Sequence, residues 1–100
     1  MPKIIEYFGF IFYFYSNEHL PIHVHVSFGE YESVFELFFE KGKLKSLQVR
    51  NVAGIAPLPA KQLKEAEKVV ESYALHIADA WKDYFILNRK INSLKITKKL

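Results

Sequence analysis

Residues 22–39 constrain this chain more than any other stretch. In IHVHVSFGEYESVFELFF, Ile22, Val24, Val26 and Phe28 alternate with His23, His25 and Ser27. That period of two suits an extended strand with one apolar and one polar face. Gly29-Glu30 predicts a two-residue hairpin turn with glycine first, and Tyr31 to Phe39 reads as the returning strand. Pairing Phe28 with Tyr31 then sets Val24 against Phe35 and Ile22 against Leu37 on one face, and Ser27 against Glu32 and His23 against Glu36 on the other. Apolar meets apolar and polar meets polar, so turn chemistry and side-chain pattern agree on one register. Val34 and Phe38 are the exceptions on the polar face.

The rest of the sheet follows by the same reading. Lys3 to Phe8 and Phe10 to Tyr15 are β-branched and aromatic runs separated by Gly9, which predicts two strands joined by a tight bend. On the second run Phe10, Phe12 and Phe14 point one way, and Ile11, Tyr13 and Tyr15 the other. SNEHLP is a polar loop closed by Pro21. EKGKL is a turn with Lys41 and Gly42 at its tip, leading into a fifth strand from about Leu44 to Val49.

Past the linker NVAGIAPLPA the period changes to 3.6. Leu63, Ala66, Val70, Tyr73, Ile77, Trp81 and Tyr84 form one stripe, and Pro59 suits the first helical turn. One helix over residues 60–87 would be about 40 Å long, enough to cross a five-stranded sheet. The predicted fold is α+β: a mostly antiparallel five-stranded sheet with one long C-terminal helix packed on one face. Residues 1–87 form the single domain and 88–100 a basic tail. A helix covers only one face, and the aromatic side chains on the other, with Leu75 and Ile86 on the outer side of the helix, predict an interface to a second copy or another protein.

One hundred residues, half of them hydrophobic and 16% aromatic, suffice for one core and exclude the disordered class. The absence of cysteine excludes disulfides, thiolate metal sites and a cysteine nucleophile, and fits a reducing cytosol. No apolar run reaches the ~18 residues a membrane span needs. The net charge of +3 is unevenly placed: Arg89, Lys90, Lys95, Lys98 and Lys99 lie in the tail with no acid, and the body carries nine bases against eleven acids. Nucleic acid is therefore a candidate partner of the tail alone.

Three of the four histidines fall within residues 17–26, NEHLPIHVHV. His23 and His25, two apart on a strand, can face one ion with Glu36 across the ladder, a donor set suited to zinc, manganese or iron. Catalysis by histidine acid–base chemistry would draw on His19, His23 and His25 with Glu18. The structural alternative has Glu36 pairing a surface imidazole and His19 fixing the turn before Pro21. Histidine-triad hydrolases need a third alternating histidine, where this chain has Ser27. No particular cofactor follows.

The early FGF, the aromatic strand, Glu18-His19-Leu20-Pro21-Ile22-His23, GEYESVFEL with Tyr31, LP before the helix and Trp81 near its end together resemble a family of small bacterial proteins known only as a domain of unknown function. The likeness runs from Met1 to about Phe85. It implies a small cytoplasmic protein, often encoded beside another small protein in toxin–antitoxin-like pairs, with no established activity. Where many relatives have arginine after LP this chain has Lys61, which joins the catalytic set as an anion-binding candidate, and Ala80 replaces a polar residue before the tryptophan. Two functions stay open: an interaction module that self-associates or binds a neighbouring small protein, and a histidine-based metal-dependent hydrolase or ribonuclease. Convergence of Tyr31, Lys61 and the histidines in a concave pocket would favour the enzyme, and His23 and His25 on a flat open strand the interaction module.

Overall fold

The computed structural model describes residues 2–15 and 20–100. Strands β1 (Lys3–Tyr7), β2 (Phe10–Tyr13), β3 (His23–Phe28), β4 (Tyr31–Glu40) and β5 (Lys43–Asn51) precede helices α1 (Ala60–Ser72) and α2 (Ala74–Trp81), a π-helical turn (Lys82–Ile86) and strand β6 (Leu94–Ile96). They form an α+β fold with a six-stranded mixed sheet in the order β5-β4-β3-β2-β1-β6. Neighbours among β1–β5 are antiparallel, and β6 runs parallel to β1.

The β3–β4 hairpin has the register its turn predicts: Phe28 faces Tyr31, Ser27 Glu32, Val24 Phe35 and His23 Glu36. The Leu37 N–H donates to the Ile22 carbonyl at 2.8 Å, extending the pairing one step. Gly29 sits at φ 60°, the left-handed region that a glycine-first turn requires. At the β1–β2 bend Gly9 has φ 90°, and a Cβ there would stand 3.1 Å from the Phe28 ring. Space and backbone both select glycine.

The helices cover one face of the sheet. Phe10, Phe12, Phe14, Val24, Val26, Phe35 and Leu37 pack with Ala66, Val69, Val70, Ala74, Ile77, Ala80 and Trp81 in one buried cluster. Leu58, from the linker, closes this core and donates its N–H to Ser33 Oγ at 3.0 Å.

Three features depart from the predicted architecture. The single long helix is broken at Tyr73, whose φ of −113° ends α1 while its N–H still donates to the Val69 carbonyl. The apolar stripe continues through the break, so periodicity gives no sign of it. The low helix propensity of Val69, Val70, Ser72 and Tyr73 is the only local one. Next, the chain widens into a π turn, with the Leu87 N–H bonded to the Lys82 carbonyl. The extra residue lets both Tyr84 and Phe85 reach Phe14, with ring centroids at 6.5 and 5.4 Å.

The third departure is β6, which lies in the stretch read as a basic tail. Ile96 is 9% exposed and pairs with Tyr7 in the β1–β6 ladder. Three residues flanked by lysines are too short for alternation to be seen. Two of the basic side chains there are engaged, Lys99 with Glu65 at 3.6 Å and Arg89 with Asp83 at 3.6 Å. Among the described residues no helix is long and apolar enough to cross a membrane.

Candidate functional site

On the sheet face away from the helices, β2, β3 and β4 place polar side chains side by side. Tyr13 faces His25 across β2–β3, while Glu32 faces Ser27 across β3–β4 and is thus the diagonal neighbour of His25. Glu32 is the hub. Its Oε1 accepts the Tyr13 hydroxyl, and its Oε2 accepts both the Tyr15 hydroxyl at 2.8 Å and the His25 Nδ1–H at 3.2 Å. The Tyr15 ring lies flat on His25, with centroids 3.6 Å apart and planes 15° from parallel.

His23 continues the row. Its ring is 5.6 Å from His25, and its Nδ1–H donates to the Pro21 carbonyl at 2.8 Å, just after the cis Leu20-Pro21 bond. Trp81 meets Phe14 at 5.3 Å and His23 at 5.1 Å, so one indole joins the helix-side core to the histidine row.

The cluster is enclosed. His23 and His25 are each 4% exposed, Glu32 7% and Val34 0%. The alternation assigns the histidines to a polar face, and it does so correctly, but that face is not open to water. Large aromatic neighbours cover it. A buried carboxylate is tolerated only with its lone pairs in use, and three donors supply that. Burial first, and then the Glu32 carboxylate, push the Tyr13 phenol well above its ordinary range. It therefore remains a proton donor at any physiological pH. Among the described residues no buried side-chain nitrogen or oxygen lacks a partner.

The candidate residues divide by position. His23 and His25 share the cluster. Glu36 stands opposite His23 but gives its carboxylate to Arg50 Nε at 3.1 Å, towards β5. Among the described residues no group of three or more His, Cys, Asp or Glu side chains is placed to hold a metal ion. Lys61 lines a cleft with Phe8, Phe10 and Phe28, and Tyr31 pairs with Phe28. Both therefore lie at the far end of β3 from His23, about 17 Å of strand away. Glu18 and His19 lie outside the described residues.

Sequence reasoning missed Glu32, Tyr13 and Tyr15 as partners of His25. Half of the signal was present, because the hairpin register already makes Glu32 the diagonal neighbour of His25. The other half was not, since the sequence between Tyr13 and His23 carries no two-residue turn signature that would fix Tyr13 against His25.

The family described as a domain of unknown function, DUF4160, matches residues 9–82. The chain belongs to the DUF4160 family. The DUF4160 match takes in Tyr13, Tyr15, His23, His25, Glu32 and Trp81, the whole of the described cluster, and leaves β1 and β6 outside it. No curated protein and no solved structure matches the chain.

Proposed function

We propose that this protein is a small cytoplasmic interaction module, one component of a bacterial toxin–antitoxin-like pair, which self-associates or binds a neighbouring small protein. The observation that carries the reading is β5. This strand of nine residues ends the sheet on one side with no strand beyond it among the described residues. A long open edge offers a row of backbone donors and acceptors to another chain, and sheet proteins that remain alone shorten or cover such edges. The apolar side chains Leu75 and Ile86, 61% and 65% exposed on the helical layer, add to the surface a partner would cover.

Lys61 and Tyr31 stand at the far end of β3 from His23, which counts against the convergent pocket that the enzyme reading needs. The test is sedimentation of the purified chain, alone and with the product of the adjoining gene. Self-association or a stable complex is expected, and a clean monomer that ignores its neighbour at high concentration removes the proposal.

A second reading, a histidine-based hydrolase or ribonuclease, draws on the His25–Glu32 pair, since a carboxylate on Nδ1 fixes the tautomer a general base needs. Cleavage of RNA by the purified chain, abolished in His25→Ala, would favour it. Equal cleavage by both proteins would point to a contaminant.

A further inference from the structure

A cavity of about 500 Å³ opens where the π turn gives way to the segment leading to β6, and Tyr84, Phe85, Asn88, Arg89 and Lys90 line it. Local structure gathers these five residues. The wider turn brings both Tyr84 and Phe85 to Phe14, and the two rings meet edge to face, with centroids 4.7 Å apart and planes at 85°. They form a corner. Trp81 backs Phe85 at 4.4 Å, which anchors that corner in the core. Asn88 then takes φ 53°, the left-handed conformation that asparagine tolerates better than most side chains. The chain reverses there, and the Arg89 N–H donates to the Asp83 carbonyl at 2.7 Å, which keeps Arg89 and Lys90 beside the rings they follow.

The cavity is positively charged, for no aspartate or glutamate lines it among the described residues. Arg89 does pair with Asp83, Nη1 to Oδ1, at 3.6 Å, with 67% and 40% of the two side chains exposed. An exposed pair of that length contributes little, and it engages one donor of a guanidinium that carries five. Lys90 also borders a second cavity with Asp79 and Asp83 but forms no ion pair with either among the described residues. The cleft at Lys61 and Lys99 likewise joins rings to lysines, yet there Glu65 is part of the lining and pairs with Lys99.

The chemistry this arrangement matches is planar and aromatic at one end and anionic at the other. We propose that the cavity binds one nucleotide. Its base stacks against the Tyr84–Phe85 corner, as bases do on aromatic side chains in single-strand sites, and its phosphate meets Arg89 and Lys90. The Asn88 amide offers the base edge both a donor and an acceptor. The volume falls within the range of about 300–1,000 Å³ for small-molecule sites. All five lining residues lie beyond residues 9–82 of the family match, and the inference stands whether or not the chain binds a neighbouring protein.

The nucleotide comes either free or as part of a single strand, and titration of the full chain separates the two. The probes are adenosine monophosphate, adenosine, phenyl phosphate and a short adenylate RNA strand, followed by amide spectra. Adenosine monophosphate or the strand is expected to bind, to shift the amides of residues 84–90, and to weaken as salt is raised. Tighter binding of the strand makes the nucleotide part of a nucleic acid, and equal binding makes it a free nucleotide. Arg89→Gln with Lys90→Gln should weaken binding about tenfold, the loss of two charge-assisted contacts. Tyr84→Leu, which keeps an apolar side chain on Phe14, should weaken it roughly fivefold or more through lost stacking. Lys98→Gln removes the same charge elsewhere in the tail and should change nothing. The inference is overturned if neither nucleotide probe binds, if adenosine or phenyl phosphate binds as tightly as the monophosphate, if the shifted amides lie elsewhere, or if Lys98→Gln weakens binding as much as the Arg89 and Lys90 changes do.

Discussion

A single carboxylate, Glu32, organises the non-helical face, because two phenols and an imidazole converge on it. Removing it leaves three donors without their acceptor in an enclosed site. Glu32→Ala is expected to destabilise the fold by about 3 kcal/mol or more, lowering the thermal midpoint by roughly 10–20 °C for a chain of this size. Calorimetry would show it, and a loss within error would mean the network is not structural. Tyr13 yields a second outcome. Its phenol is held protonated in the folded state, whereas the unfolded chain releases that proton near pH 10. The contribution is therefore fully present below that pH and is lost as pH rises beyond it, since the unfolded state then binds fewer protons. Tyr13→Phe should make the alkaline fall in midpoint shallower and leave its slope between pH 6 and 9 alone. An unchanged alkaline slope would mean that Tyr13 does not titrate on unfolding. At this scale the sequence is legible only in part. The face of His25 follows from alternation, but its burial depends on Tyr15 folding flat onto it, which no spacing encodes.

Elements were legible where a turn of defined geometry joins them. The Gly29-Glu30 turn ties the β3–β4 register to local chemistry, and the observed pairs follow from it. Gly29 has nothing within 4 Å of an added Cβ, so a substitution there strains the backbone without crowding a neighbour. Gly29→Val is expected to cost roughly 1–2 kcal/mol, the penalty of a left-handed conformation for a residue with a Cβ, with a β-branched side chain at the upper end. Denaturant unfolding would measure it, and a loss below 0.5 kcal/mol on the order-of-magnitude scale of that penalty would show that the turn relaxes to another type. The helix break was illegible for the converse reason. Val70, Tyr73 and Ile77 keep helical spacing on both sides of it, so burial gives the same pattern whether the helix is continuous or stepped.

At the scale of the molecule the sheet is asymmetric, with a nine-residue edge at β5 and only the three-residue strand β6 at its other side. That short cover over β1 is held at several points. Ile96 is buried, the Leu100 N–H donates to the Tyr7 hydroxyl at 3.1 Å, and the Lys99 ammonium lies 4.8 Å from the Phe8 ring centre. Charge composition made residues 88–100 read as a solvated tail, because five bases dominate thirteen residues, and one buried isoleucine is too little pattern to outweigh them. Ending the chain after Leu87 would uncover the β1 edge and the Tyr7 surface together. The loss is expected to be roughly 2–4 kcal/mol, from one buried isoleucine and the hydrogen bonds of a short ladder. The second consequence is specific to topology: a β1 edge that carries Ile4 and Ile5 would stand open, and unprotected apolar edges pair with one another. The truncated chain should therefore associate more strongly with rising concentration than the full chain does, detectable by sedimentation. Adding back a peptide of residues 88–100 should reverse it. If the truncated chain keeps both its midpoint and its sedimentation behaviour, β6 contributes nothing to the sheet's closure, and the asymmetry that singles out β5 as the docking edge loses its basis.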